Sequence, residues 1–148
     1  MGTRAASAPV AALESDIRLT LPARPENVAV VRHVLGALAE ALDLPPAVTA
    51  DIRLAVTEAC TNVVRHAYGD RAGDIDVVVR PRGRALEVIV ADNGRGMGPS
   101  PDTSGPGLGL PLMAALADSL EIQGSATAGS RLMMSFLRNR TRPAMGVM

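Results

Sequence analysis

Two groups of residues have the types and spacing to do chemistry. The first is the stretch Ala91–Leu110, ADNGRGMGPSPDTSGPGLGL, which leaves the apolar run Leu86, Val88, Ile89, Val90 and opens on an acid, Asp92. Gly94, Gly96 and Gly98 follow, then Gly105, Gly107 and Gly109 just before the helix-like LPLMAALADSL. Glycine accepts positive φ and lets a backbone approach a ligand closely. A helix starting past the second cluster would turn free N–H groups toward an anion. A carboxylate to grip a base, a flexible cover and a phosphate cradle together describe a nucleotide site. The second group is Glu58 and Asn62, four residues apart and so neighbours on one helix face. Their oxygens suit Mg²⁺, and a carboxylate there could orient or deprotonate a hydroxyl.

Each signal also has a plainer account. The Glu58–Asn62 spacing is common, and alone it favours a solvated glutamate beside a polar helix residue. Asp92 before Asn93-Gly94 is, in isolation, a turn acid. The DxGxG…GxGxG pattern is moderately specific for phosphate, whereas a lone GxGxG is weak. It lacks the GxGxxG spacing of the dinucleotide fold, and no Gly-Lys-Ser/Thr ending marks a P-loop. His33 is expected on the surface, and His66 in a packing or helix-end role. No histidine–cysteine cluster has metal-binding spacing. Met133 and Met134 lie in an apolar strand and are expected in the core.

The elements that must position these residues follow from periodicity. Asp16–Leu21 alternates Ile17, Leu19 and Leu21 with polar residues, the mark of a strand. After PARPEN, the spacing of Val31, Val34, Leu35, Leu38 and Leu42 predicts a helix, stopped by Leu44-Pro45-Pro46. A second helix is predicted from Ala47 to about Tyr68, with Ile52, Ala55, Val56, Ala59 and Val63 as its apolar arc and Gly69 and Gly73 ending it. Glu58 and Asn62 fall at the polar margin of that arc. Strands Ile75–Arg80 and Ala85–Asp92 are joined by a Pro81-Arg82-Gly83 turn. A helix at Leu110–Ala117 and strands at Leu120–Gln123 and Arg131–Arg138 complete the series. The order predicts a two-layer α/β sandwich, with helices on one face of a mixed, mainly antiparallel sheet. Residues 1–15 and 139–148 are expected to be disordered tails around one domain, 16–138.

Composition bounds the function. At 148 residues the chain has room for one domain with a real core, and with 47% apolar but only 1% aromatic residues that core must be aliphatic. Fifteen basic and fifteen acidic side chains cancel, which argues against a general nucleic-acid or membrane surface. One cysteine, Cys60, excludes an internal disulfide framework and suits a reducing cytoplasm. The N-terminal stretch has no sustained apolar run, so neither a signal peptide nor a membrane span is expected.

The order of the motifs is more telling than any one of them. LAVTEACTNVVRHAY, VADNGRGMG, GPGLGL and AGSRL, in that sequence, resemble the four boxes of the GHKL (Bergerat-fold) ATPase superfamily. Within it the chain looks most like the small anti-sigma-factor serine/threonine kinases of bacteria, through Asn62…His66-Ala67-Tyr68 and its length. The likeness spans about residues 16–138. It implies Glu58 as general base, Asn62 as Mg²⁺ ligand and Asp92 as acceptor for the adenine amino group of ATP. Gly94 and Gly96 would shape the pocket floor. Gly105, Gly107, Leu108 and Gly109 would belong to the phosphate-wrapping segment, and Gly129 and Ser130 would line the adenine side. Many members carry threonine near the position of Ser130. The cover Pro99–Ser104 is short for this group, and Thr103-Ser104 stands where some members have an arginine near the γ-phosphate.

The resemblance implies an ATP-dependent serine kinase that sequesters a sigma factor and phosphorylates an anti-sigma-factor antagonist. The competing reading is a non-catalytic ATP/ADP-binding module that docks a protein partner. Glu58 favours the first and the short cover favours the second. A histidine kinase is disfavoured because dimerisation helices and a phosphoacceptor histidine domain are missing. The apolar residues of Asp16–Leu21 permit a homodimer through the first strand's edge.

Overall fold

The computed structural model describes residues 15–94, 109–125 and 129–139. Five strands build one sheet: β1 (Ile17–Pro22), β2 (Asp74–Arg82), β3 (Ala85–Asp92), β4 (Ser119–Ser125) and β5 (Gly129–Leu137). Three α-helices accompany it: α1 (Pro25–Ala41), α2 (Pro46–Asn62), which runs on into a π-helical turn at Val63–Ala67, and α3 (Gly109–Leu116). The strand order is β1-β2-β3-β5-β4. All four pairings are antiparallel. The described part is thus an α/β sandwich, and each strand agrees with its sequence expectation to within about two residues.

Alternation decides which side of each strand meets the helices. Leu19, Val77, Val90 and Leu132 occupy one continuous register row across β1, β2, β3 and β5; the last three belong to the buried apolar core, and the half-buried Leu19 packs against it. Val31, Leu35, Ile52, Val56, Ala59 and Met113 supply the helix side of that core. The same alternation separates the adjacent methionines: Met134 is fully buried, while Met133 is half-buried on the opposite face of the sheet. Two successive strand residues cannot both point into one core, so only Met134 meets the expectation. On that opposite face Val78 and Ile89, register partners, are buried despite lying away from the helices. Beside them run the ion pairs Arg18–Asp76, Arg80–Asp16 and Arg80–Glu87.

Local endings differ from the sequence reading for stateable reasons. The first helix is closed not by the prolines but by Asp43, at φ +56°, whose N–H bonds the Glu40 carbonyl while the Leu44 N–H bonds that of Ala39. This is a Schellman cap, with aspartate in the left-handed position glycine usually takes. Pro45 and Pro46 instead open α2, where a missing N–H costs nothing. The hairpin turn lies at Gly83-Arg84, later than expected: Arg82 pairs with Ala85, and Pro81 sits inside β2 opposite Leu86. Proline is tolerated there because β1 ends opposite Val79 and no neighbouring strand needs its N–H. Gly69, at φ +60°, does break the chain away from the helix. Gly73 has another task, described below.

Candidate functional site

Asp92 is the last residue of β3, and two neighbours fix its carboxylate. Oδ1 accepts a 2.8 Å hydrogen bond from the Gly94 N–H, and Oδ2 accepts one of 2.5 Å from the Ser130 hydroxyl. Asp92 and Ser130 are register partners on β3 and β5, and each is only 6% exposed. A buried carboxylate with one donor on each oxygen retains lone pairs for a further donor. The close approach of β5 depends on Gly129, at φ +82°: a Cβ there would lie 2.0 Å from the Asp92 carbonyl oxygen. Gly94 is equally constrained, since its Cβ would lie 2.0 Å from the carbonyl oxygen of Ala67. The structure therefore gathers Asp92, Gly94, Gly129 and Ser130 at one end of the β3–β5 pair.

Glu58 and Asn62 are half-buried on α2, next to the fully buried Ala55 and Ala59. Asn62 faces the start of α3: its Nδ2 is 3.0 Å from where a Cβ of Gly109 would stand. Glycine at that helix start is thus what lets the amide come against the backbone. Gly96, Gly105, Gly107 and Leu108 lie outside the described residues, as do the cover Pro99–Ser104 and the tails 1–14 and 140–148. His33 is exposed, as expected; His66 is exposed in the last turn of the π-helical segment, which fits a helix-end position and not a packing role. Among the described residues no three His, Cys, Asp or Glu side chains gather as a metal cage. Cys60 is a free, buried thiol whose pKa is pushed up to about 12 by desolvation, so it is inert near neutrality.

One residue at the site escaped the sequence reading except as part of a motif ending. The Tyr68 hydroxyl donates to the Asp74 carbonyl at 2.6 Å and accepts the Asn93 N–H at 2.9 Å. Its ring lies where a Cβ on Gly73 would come, 2.0 Å from that position, so Gly73 serves as the seat of the ring. Tyr68 follows the π-helical turn directly, and such turns recur at functional sites. The available signal was compositional: this is the single tyrosine of a chain with one phenylalanine and no tryptophan.

Comparison with known proteins bears on the family and the fold. Residues 21–136 match the model of the histidine kinase-like ATPase domain family. The serine-protein kinase RsbW of Bacillus licheniformis is 36% identical over 142 residues, covering 85% of this chain and 88% of that protein. RsbW of Bacillus pumilus is 35% identical over 144 residues, with the same coverage of 85% and 88%. A crystal structure of the RsbU and RsbW domains of a Mycobacterium tuberculosis protein superposes with a TM-score of 0.68 at 24% identity, over 90% of this chain and 34% of that one, and shows the shared fold. Motif order, sheet topology and these matches converge: the chain belongs to the histidine kinase-like (GHKL) ATPase family and, within it, to the group of the RsbW serine-protein kinases.

Proposed function

We propose that this chain is an ATP-dependent serine kinase and anti-sigma factor, which sequesters a sigma factor and phosphorylates its antagonist protein. The observation that carries the proposal is the seating of Asn62 against Gly109, which brings the Glu58–Asn62 face of α2 to the start of α3. The first N–H groups of a helix are free to bind phosphate. In this reading the adenine amino group donates to Asp92, within the wall formed by Gly94, Gly129 and Ser130. Gly96 would help shape the pocket floor, and the segment holding Gly105, Gly107 and Leu108 would wrap the phosphates. Asn62 offers Mg²⁺ one oxygen, which suits an ion that usually takes one or two protein groups and completes its shell with phosphate and water. Bound there, Mg²⁺ would neutralise phosphate charge. Glu58, one turn earlier on the same face, orients the serine hydroxyl of the antagonist and accepts its proton as the γ-phosphoryl group passes to the oxygen, leaving ADP.

Several features support the wider setting. The relatives are named serine-protein kinases. No helix among the described residues is long and apolar enough to cross a membrane. The single cysteine suits work in the reducing cytoplasm. Strand β1 lies at the sheet's edge, with backbone groups open to a second copy, which supports a homodimer. The short cover, Pro99–Ser104, favours a second reading in which nucleotide only shapes a docking surface. The test is Glu58→Gln, assayed with labelled ATP and candidate antagonists. We expect near-normal ATP affinity and sigma-factor binding, with serine phosphorylation reduced ~10²–10⁴-fold. A wild-type protein that transfers nothing to the right antagonist, while Glu58→Gln leaves partner binding unchanged, would replace the kinase with the regulatory module.

A further inference from the structure

We infer that Tyr68 is a positioning residue for the base end of the site: it acts through the Asn93 N–H on the Asp92 carboxylate and sets the preference for adenine over guanine. The inference rests on Asp92 as the adenine acceptor. The sheet itself does not fix the Asn93 peptide. Pairing of β3 with β2 ends at Ala91, and pairing with β5 ends at Asp92. The residue just beyond therefore needs another holder, and Tyr68 supplies it at 2.9 Å. The polarity of that bond is set, because the one hydroxyl proton goes to the Asp74 carbonyl and leaves a lone pair for Asn93.

The consequence reaches Asp92 through one peptide. The Gly94 N–H that holds Oδ1 belongs to the peptide following Asn93, so turning the Asn93 amide moves that donor. On the other side, the Ala67 carbonyl packs against Gly94, and the ring of Tyr68 is seated on Gly73. The end of the π-helical turn thus grips the Asn93–Gly94 turn by a hydrogen bond and a close packing contact. Ser130 holds only Oδ2, and a carboxylate held through one oxygen can rotate. Rotation harms adenine more than guanine. An amino donor needs a directed acceptor lone pair, whereas guanine, with a carbonyl at the same place, gains nothing from it.

The test measures ATP, AMP and GTP binding by calorimetry for wild type, Asp92→Ala, Tyr68→Phe and Gly73→Ala. Tyr68→Phe keeps the ring and its seat but removes the acceptor. Gly73→Ala leaves the hydroxyl in the chain but displaces the ring that carries it. We expect each to bind ATP and AMP about three- to tenfold more weakly, the size of one lost neutral hydrogen bond. GTP affinity should not change, so the ATP-to-GTP ratio falls by the same factor, while the ATP-to-AMP ratio, which reads the phosphate end, stays at its wild-type value. A purely structural role for Tyr68 would weaken all three nucleotides together, and that result overturns the inference. So does wild-type selectivity in Tyr68→Phe with Asp92→Ala impaired, which leaves Asp92 as the base acceptor. If Asp92→Ala itself binds ATP like wild type, both readings fall together.

Discussion

Asp92 and Ser130 are buried polar residues at the end of the β3–β5 pair, and their burial is offset by the hydrogen bond between them and by the Gly94 N–H on Asp92. Under the proposed function Asp92 is the side chain that reads the adenine amino group. Loss of a charge-assisted hydrogen bond in a closed pocket costs about 1.5–3 kcal/mol, so Asp92→Ala should weaken ATP binding at least ~10-fold by calorimetry. Equal binding by wild type and variant would remove Asp92 from the site. Under the same proposal Asn62, whose side chain lies against Gly109, works at the phosphate end. Asn62→Ala should therefore lose the part of ATP affinity that depends on Mg²⁺, while binding measured in EDTA stays near wild type. A variant that responds to Mg²⁺ like the native protein would exclude Asn62 as its ligand. Asp92, Ser130 and Asn62 were all legible as residue types at motif spacing. Tyr68 was not, because its partners, Asp74 and Asn93, are backbone groups that carry no sequence signature.

At the scale of elements, the site depends on two backbones approaching where a side chain would block them. The β5 strand starts at Gly129, whose φ of +82° and contact with the Asp92 carbonyl leave no room for a methyl group. Gly83, at φ +59° in the β2–β3 hairpin, has the same kind of backbone but nothing within 4 Å. The two glycines separate strain from collision. Gly83→Ala should cost about 1–2 kcal/mol, the left-handed penalty alone. Gly129→Ala adds displacement of β5 from Asp92, so it should cost clearly more and lower Tm by several degrees beyond Gly83→Ala. It should also remove ATP binding, which Gly83→Ala leaves intact. Equal melting temperatures for the two variants would mean that β5 gives way easily and that Gly129 does not set the spacing. The shift of the hairpin turn to Gly83-Arg84 belongs to this scale as well. Pro81 resembles a turn residue in sequence, yet it is accommodated in β2 because β1 stops short of it.

At the scale of the whole molecule, the core is aliphatic and closes over Cys60, whose thiol is desolvated and pushed up to about 12 from 9.0. Below pH 9 the thiol is protonated in both folded and unfolded chains and does not affect stability. Between about 9 and 12 the unfolded chain loses this proton while the folded chain keeps it, so stability falls as pH rises, by about 1.4 kcal/mol per unit. The sequence contains no lysine, so few other groups change charge in that window. Urea midpoints at pH 8, 9.5 and 10.5 should therefore drop more steeply for wild type than for Cys60→Ala; parallel drops would mean that the thiol is accessible to water. What the sequence by itself determined is what local chemistry dictates: apolar periods of two and about 3.6, the order of glycine boxes, and Glu58 and Asn62 sharing a helix face. What only the tertiary structure decided is what depends on groups far apart in the chain. Ser130 reaches Asp92 across 38 residues, Asn62 meets Gly109 across two elements, and Tyr68 holds Asn93 across 25 residues. A periodicity records which side of an element is apolar, but strand register and helix docking set which polar atoms come within 3 Å.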